Sequence, residues 1–119
     1  MNVFFRNDGT HLHVVCEGVW DPIELTDVAR QIRVTADQMS HDKLLIDWSG
    51  VSAPSDNTYR ILAGHDIARI LSPPLRVAVL NRKVVINKLT ENVAVSGGAT
   101  MLTHHDHRHL VDWLLRAPA

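Results

Sequence analysis

Apolar positions along this chain change their period several times, and each change marks an element. Val3 to Arg6 and His11 to Glu17 are short β-rich runs joined by Asn7-Asp8-Gly9-Thr10. Asp-Gly between such runs predicts a hairpin. In the second run Leu12, Val14 and Cys16 alternate with His11, His13 and Val15. That period of two predicts one buried face and one partly polar, edge-strand face carrying the two histidines.

The period lengthens after Gly18-Val19-Trp20. Asp21 suits an N-cap, Pro22 the first helical position and Glu24 the reciprocal place in a capping box. Leu25, Val28, Ala29, Ile32, Ala36 and Met39 then recur at helical spacing, with Trp20 placed as a hydrophobic staple. Lys43 to Trp48 is almost continuously apolar, which predicts a central strand covered on both faces. Ser55 or Asp56 caps a second helix, with Tyr59, Leu62, Ala63, Ile67, Ile70 and Leu71 on its inner stripe and Pro73-Pro74 beyond its end. Leu75 to Leu80 reads as a strand, and Lys83 to Val95 as a third helix ended by Gly97-Gly98. Ala99 to Thr103 is a last strand. Thr103 and Asp106 fit a capping box for a terminal helix whose inner face is Leu110, Trp113 and Leu114.

The order β-β-α-β-α-β-α-β-α predicts a single-domain α/β fold over residues 1–119. Its sheet is mixed and mostly parallel, with about five strands and four helices. The 119 residues suffice for one real core and are too few for two. A net charge of −1 with no Lys/Arg run predicts no nucleic-acid partner. One cysteine, Cys16, rules out an internal disulfide and fits a reducing, cytoplasmic location. The N-terminus lacks a signal-peptide pattern, and no apolar run reaches the ~18–20 residues of a membrane span.

Candidate chemistry centres on Leu44 to Leu62, where a buried strand runs through small polar residues into a helix. One glycine between Asp47 and Thr58, Gly50, is too few for a phosphate-cradling loop. Gly50-Val51-Ser52-Ala53-Pro54 misses the last glycine of a nucleophile elbow. Four of the eight histidines fall between His104 and His109. On a helix His105 and His109 would stand one turn apart, opposite the apolar face, so they predict a solvated and at most adventitious chelate. Cys16 reads as an inert packed thiol. These residues call for no cofactor, no metal site and no catalytic group.

Ile46-Asp47-Trp48-Ser49-Gly50-Val51-Ser52 resembles the "LDLSGVS" segment of STAS domains, the fold of bacterial anti-sigma-factor antagonists. Over nearly the whole chain the likeness is to the SpoIIAA-like branch of the STAS/CRAL-TRIO-like group. It is carried by Cys16-Glu17-Gly18 closing the hairpin, Leu44-Leu45-Ile46-Asp47, Arg76-Val77-Ala78-Val79-Leu80 and Leu110-Val111-Asp112-Trp113-Leu114. In the antagonists the segment leads into an Asp-Ser-Ser-Gly turn whose second serine is phosphorylated by a partner kinase. Here that turn falls on Ser55-Asp56-Asn57-Thr58, with Asn57 at the acceptor position. The resemblance therefore implies the fold and a docking loop without its phosphate switch.

The expected function is a non-enzymatic regulatory or protein-binding module that contacts a protein partner or a second copy of itself through the loop 49–58 and the following helix. The expected binding residues are Asp47, Trp48, Ser49, Ser52, Ser55, Asp56, Asn57, Thr58 and Tyr59. The alternative is a small-molecule or lipid site at the C-terminal ends of the parallel strands, near Asp47, Trp48, Asn81 and Arg82. A closed apolar pocket behind Trp48 would favour that alternative, and a flat exposed patch around Ser49 to Tyr59 the first reading.

Overall fold

The structure is a computed structural model that describes residues 1–54 and 56–116. Strands β1 (Asn2–Asn7) and β2 (Leu12–Gly18) form the opening hairpin, followed by α1 (Pro22–Gln38), β3 (Lys43–Val51), α2 (Asn57–Ile70) and β4 (Arg76–Leu80). A 3₁₀ turn (Lys83–Val85), α3 (Leu89–Ser96), β5 (Thr100–His104) and α4 (His107–Leu115) complete the chain. The sheet order is β1-β2-β3-β4-β5, with β1 antiparallel to β2 and every later pair parallel. This is the mixed, mostly parallel five-stranded α/β architecture that the pattern predicts.

Helix placement follows from that order. Three successive crossovers step the same way across the sheet, and right-handed crossovers then put α1, α2 and α3 on one face. After β5 the chain folds back, and α4 packs on the other face against β3, β4 and β5. Strand alternation divides the core accordingly. Leu12, Val14, Cys16, Leu44, Ile46, Trp48, Val77 and Met101 meet the first three helices. Leu45 and Ala78 meet Leu110 and Leu114 of α4.

Local chemistry sets the helix limits. Asp21 Oδ1 accepts from the amides of Ile23 (2.8 Å) and Glu24 (3.4 Å), and Pro22 follows at the first helical position. Glu24 does not return the capping bond; its carboxylate accepts from the Met1 amino group at 2.9 Å. Gly64 on α2 lets α3 come close, since a Cβ there would lie 2.6 Å from Val93 Cβ and 2.8 Å from the Thr90 carbonyl oxygen.

Several expectations are corrected. β3 continues through Ser49, Gly50 and Val51, because the last two pair with Glu17 and Gly18 of β2 past a bulge. The third helix is broken. The Asn87 side chain accepts from the Leu89 amide at 3.1 Å and Lys88 turns left-handed (φ 64°), so α3 begins only at Leu89. Thr103 belongs to β5, and Asp106 caps α4 by accepting from the Arg108 amide at 3.0 Å. Leu62 and Met39 are exposed rather than inward; Gly64 replaces Leu62 on the buried stripe of α2. Trp113 is half-buried, with the Arg76 guanidinium 4.2 Å above its ring. His11 and His13 are buried, with 5% and 7% of their surface exposed, where an open edge-strand face was expected. Among the described residues no helix is long and apolar enough to cross a membrane.

Candidate functional site

Near the C-terminal ends of β3, β4 and β5, on the α1–α3 side of the sheet, a cavity of about 90 Å³ opens. Ile46, Val79 and Met101 form its sheet wall, Val28 and Ile32 its α1 wall, and Ala63 and Ile67 its α2 wall. Trp20 and Trp48 both line it, meeting edge to face with ring centres 5.4 Å apart. Trp20 thus packs on Trp48 at the sheet end. Both indole nitrogens are buried and have no hydrogen-bond partner among the described residues. A buried N–H without an acceptor costs ~1–3 kcal/mol, so each indole is a donor free for a bound acceptor.

The polar rim of the cavity is already engaged in holding elements together. Glu91 accepts from the Thr103 amide and from Lys88 Nζ, and Lys88 Nζ also donates to the Thr103 carbonyl. Asp66 accepts from Thr26 at 2.7 Å, tying α2 to α1, and from Arg69 at 2.8 Å. Thr90 Oγ1 donates to the Arg60 carbonyl at 3.0 Å, tying α3 to α2. The site is therefore an apolar pouch whose charged neighbours serve as struts.

The residues expected to bind fall in three places. Trp48 faces the cavity. Asp47 and Ser49, by strand alternation, face the α4 side of the sheet, where Asp47 Oδ1 accepts from the Ser49 amide (3.0 Å) and hydroxyl (2.5 Å). Ser52, Asp56, Asn57 and Thr58 are exposed together beyond the end of β3. Asp56 caps α2 by accepting from the Thr58 amide at 2.7 Å. Asn57 opens the helix, its side-chain oxygen 3.4 Å from Asn87 Nδ2. Tyr59 is half-buried and packs against the main core. Ser55 lies outside the described residues.

Two features escape the sequence reading. Beside the loop, Ile61 and Leu62 on α2 stand 38% and 43% exposed, and Ile23 at the start of α1 is 78% exposed. Ile23 and Leu62 flank a shallow groove between the two helices, with Arg30, His65 and Arg69 along it. The apolar run Ile61-Leu62-Ala63 hides this, because only the helix phase tells which member faces out. The second is the group Asp8, His11 and His13, at the turn and on the α4 side of β2. Its signal was Asp-x-x-His-x-His across a hairpin turn, where a strand places alternate residues side by side. Of the histidines of 104–109, three stack together and one turns away. His105 precedes the helix, His104 stacks on His105 and His109 with ring centres 4.4 and 4.1 Å apart, and His107 turns toward His13.

No protein-family model matches the chain, and no curated protein matches it in sequence. Solved structures match its fold. An anti-sigma factor antagonist from Mycobacterium paratuberculosis superposes with a TM-score of 0.67 at 11% identity, covering 97% of this chain and 94% of that one. The anti-sigma factor antagonist SpoIIAA in its unphosphorylated form gives 0.59 at 12% identity, covering 94% and 95%. The architecture is thus the SpoIIAA-like STAS fold, as the short motifs along the chain imply.

Proposed function

We propose that this chain, acting as one domain over residues 1–119, is a regulatory module that works by binding a protein partner, not by catalysis. The contact surface is Ser52, Asp56, Asn57 and Thr58 with the outward side of α2. The observation that carries this reading is the exposed pair Ile61 and Leu62 following that loop, with Ile23 across the groove. Apolar anchors ringed by polar residues suit a protein interface, where a few desolvated side chains supply most of the affinity. The fold neighbours are named as anti-sigma factor antagonists, which supports a partner of the anti-sigma-factor kind. Asn57 has no hydroxyl to phosphorylate, so release of the partner works without a phosphate at that position.

The test places a photo-crosslinking residue at Leu62, at Asn57 or, as control, at Asp112 on α4. Crosslinks to one protein from the first two positions and not the third support the reading, and Leu62→Asp abolishes the crosslink from Asn57. Crosslinks from Asp112 alone, or none that Leu62→Asp removes, refute it.

A second reading is favoured by the two partnerless indole N–H groups beside the cavity: a small ligand carrying a hydrogen-bond acceptor. A cavity of about 90 Å³ is far below the ~300 Å³ at which drug-sized pockets begin. The fitting ligand is a fragment of a few heavy atoms, and a lipid tail is too large for this conformation. Native mass spectrometry of the purified chain, repeated on Trp48→Phe, separates the readings.

A further inference from the structure

On the α4 side of the sheet, the turn of the β1–β2 hairpin brings three ligating groups together. Asp8 Oδ2 lies 3.5 Å from His11 Nε2 and 3.6 Å from His13 Nδ1. All three atoms fall within 4.8 Å of one another. Both imidazoles are over nine-tenths buried. These same two nitrogens have no hydrogen-bond partner among the described residues.

His11 Nδ1 is 2.9 Å from Thr10 Oγ1, so a neutral His11 that donates there turns the lone pair of Nε2 toward the carboxylate. A lone pair facing carboxylate lone pairs at 3.5 Å is repulsive until a positive charge sits between them. An N–H on each facing ring nitrogen can fill that role, and so can one cation shared by all three groups. A single cation between all three satisfies them at once.

We propose that Asp8, His11 and His13 form a binding site for a divalent transition-metal ion of the zinc class. Ligand distances of ~2.0–2.2 Å around a tetrahedral ion put neighbouring ligand atoms about 3.4 Å apart, close to the observed 3.5 and 3.6 Å. Two imidazoles and one carboxylate suit zinc or its neighbours, not calcium or magnesium, which take all-oxygen shells. Thr10 Oγ1 can accept from His11 Nδ1 and leave Nε2 free for the ion, the place an outer partner of a metal-bound histidine takes. Arg6 opposes the cation. Its Nε and Nη2 lie 2.6 and 3.1 Å from the two Asp8 oxygens, but its side chain is 66% exposed and Nη2 can swing out as the ion enters. His107 of α4, its ring centre 6.0 Å from that of His13, stands nearby for a further coordination position. His41, held to Asn7 at 2.8 Å, is the other imidazole close to His11.

The stack of His104, His105 and His109 is a competing chelate, so the test uses the full chain carrying His105→Ala and His109→Ala. Titration with cobalt(II) should give one equivalent bound with visible absorption of a low-coordinate ion, and zinc should displace it. Asp8→Asn and His13→Gln in the same background should each weaken cobalt binding by about tenfold or more, with unchanged far-ultraviolet circular dichroism. Asp8 sits on a partly exposed turn, so its variant decides the question if His13→Gln does not fold. No binding in the His105→Ala/His109→Ala background overturns the proposal. So does an Asp8→Asn variant that binds as tightly as its parent.

Discussion

Gly64→Ala sets two effects of opposite sign against each other, and the structure decides between them. In a free helix the change would stabilise, because glycine in a helix interior is ~0.8–1.0 kcal/mol worse than alanine. Here the added Cβ would lie 2.6 Å from Val93 Cβ, 2.7 Å from Val93 Cγ1 and 2.8 Å from the Thr90 carbonyl oxygen. Two of those three atoms are backbone or fixed to it, so a rotamer change at Val93 relieves only one contact. α3 must move away from α2, and such overpacking costs ~1–3 kcal/mol. The net expectation is a loss of about 1 kcal/mol, which lowers the melting temperature by ~3–6 °C in a domain of this size. Urea unfolding followed by circular dichroism measures it directly. Val93→Ala should not rescue the variant, because it removes Cγ1 and leaves both Cβ and the Thr90 carbonyl. Equal or greater stability for Gly64→Ala would mean that α3 sits loosely on α2, and the close approach of the two helices would be refuted.

Two further outcomes follow from named contacts. Asp21→Ala removes the acceptor for the Ile23 and Glu24 amides and should cost ~1 kcal/mol by urea unfolding, whereas Asp21→Asn keeps an acceptor and should cost clearly less; equal losses would deny the cap. Cys16 is fully buried and its thiol is pushed up to about 12 by desolvation, so iodoacetamide at pH 8 should modify it only as fast as the chain opens. Because the unfolded thiol ionises near 9.0 and the folded one does not, the Cys16 contribution to stability should fall as pH rises from there toward about 12. Rapid stoichiometric labelling of the native chain would contradict both statements.

What the sequence made legible depended on how far each signal reached. Asp21-Pro22 fixed the start of α1 because capping is local: the acceptor and the amides it meets are two and three residues apart. The strand order was legible in kind, since alternating β and α elements leave few right-handed arrangements. The break before α3 was not. Apolar residues from Val85 to Val93 keep helical spacing, yet the Asn87 side chain competes for the Leu89 amide and Lys88 leaves the helix. The candidate surface was half legible. Ser52, Asp56, Asn57, Thr58 and the following helix were expected there, but Leu62 was read as inward and Ile61 was not singled out, since an exposed and a buried apolar residue look alike in one dimension. Asp47 and Ser49 were grouped with Trp48 by adjacency, but a strand sends neighbours to opposite faces. For His11 and His13 the period was right and the environment wrong: the turn folds Asp8 back over them and α4 brings His107 close.

The sheet therefore separates two chemistries that share its strands. Trp48 and Leu12 belong to the α1–α3 side, with the apolar cavity and the α2 surface beyond it. His13 lies on the other side of the same β2, and Leu45 opposite it in β3 packs beneath α4. Coupling between the two sides would need a second arrangement of these strands, because a ligand shifts only equilibria that already exist; β2 and β3 pair here in one arrangement, from Leu12–Leu44 to Gly18–Val51. The hairpin turn at Asp8 is held to the sheet by its own cross-strand pairs, from Asn2–Glu17 to Asn7–Leu12. The α2 surface proposed to meet a partner lies across the sheet and beyond the main core, with the bonds Thr26–Asp66 and Thr90–Arg60 holding α2 to its neighbours.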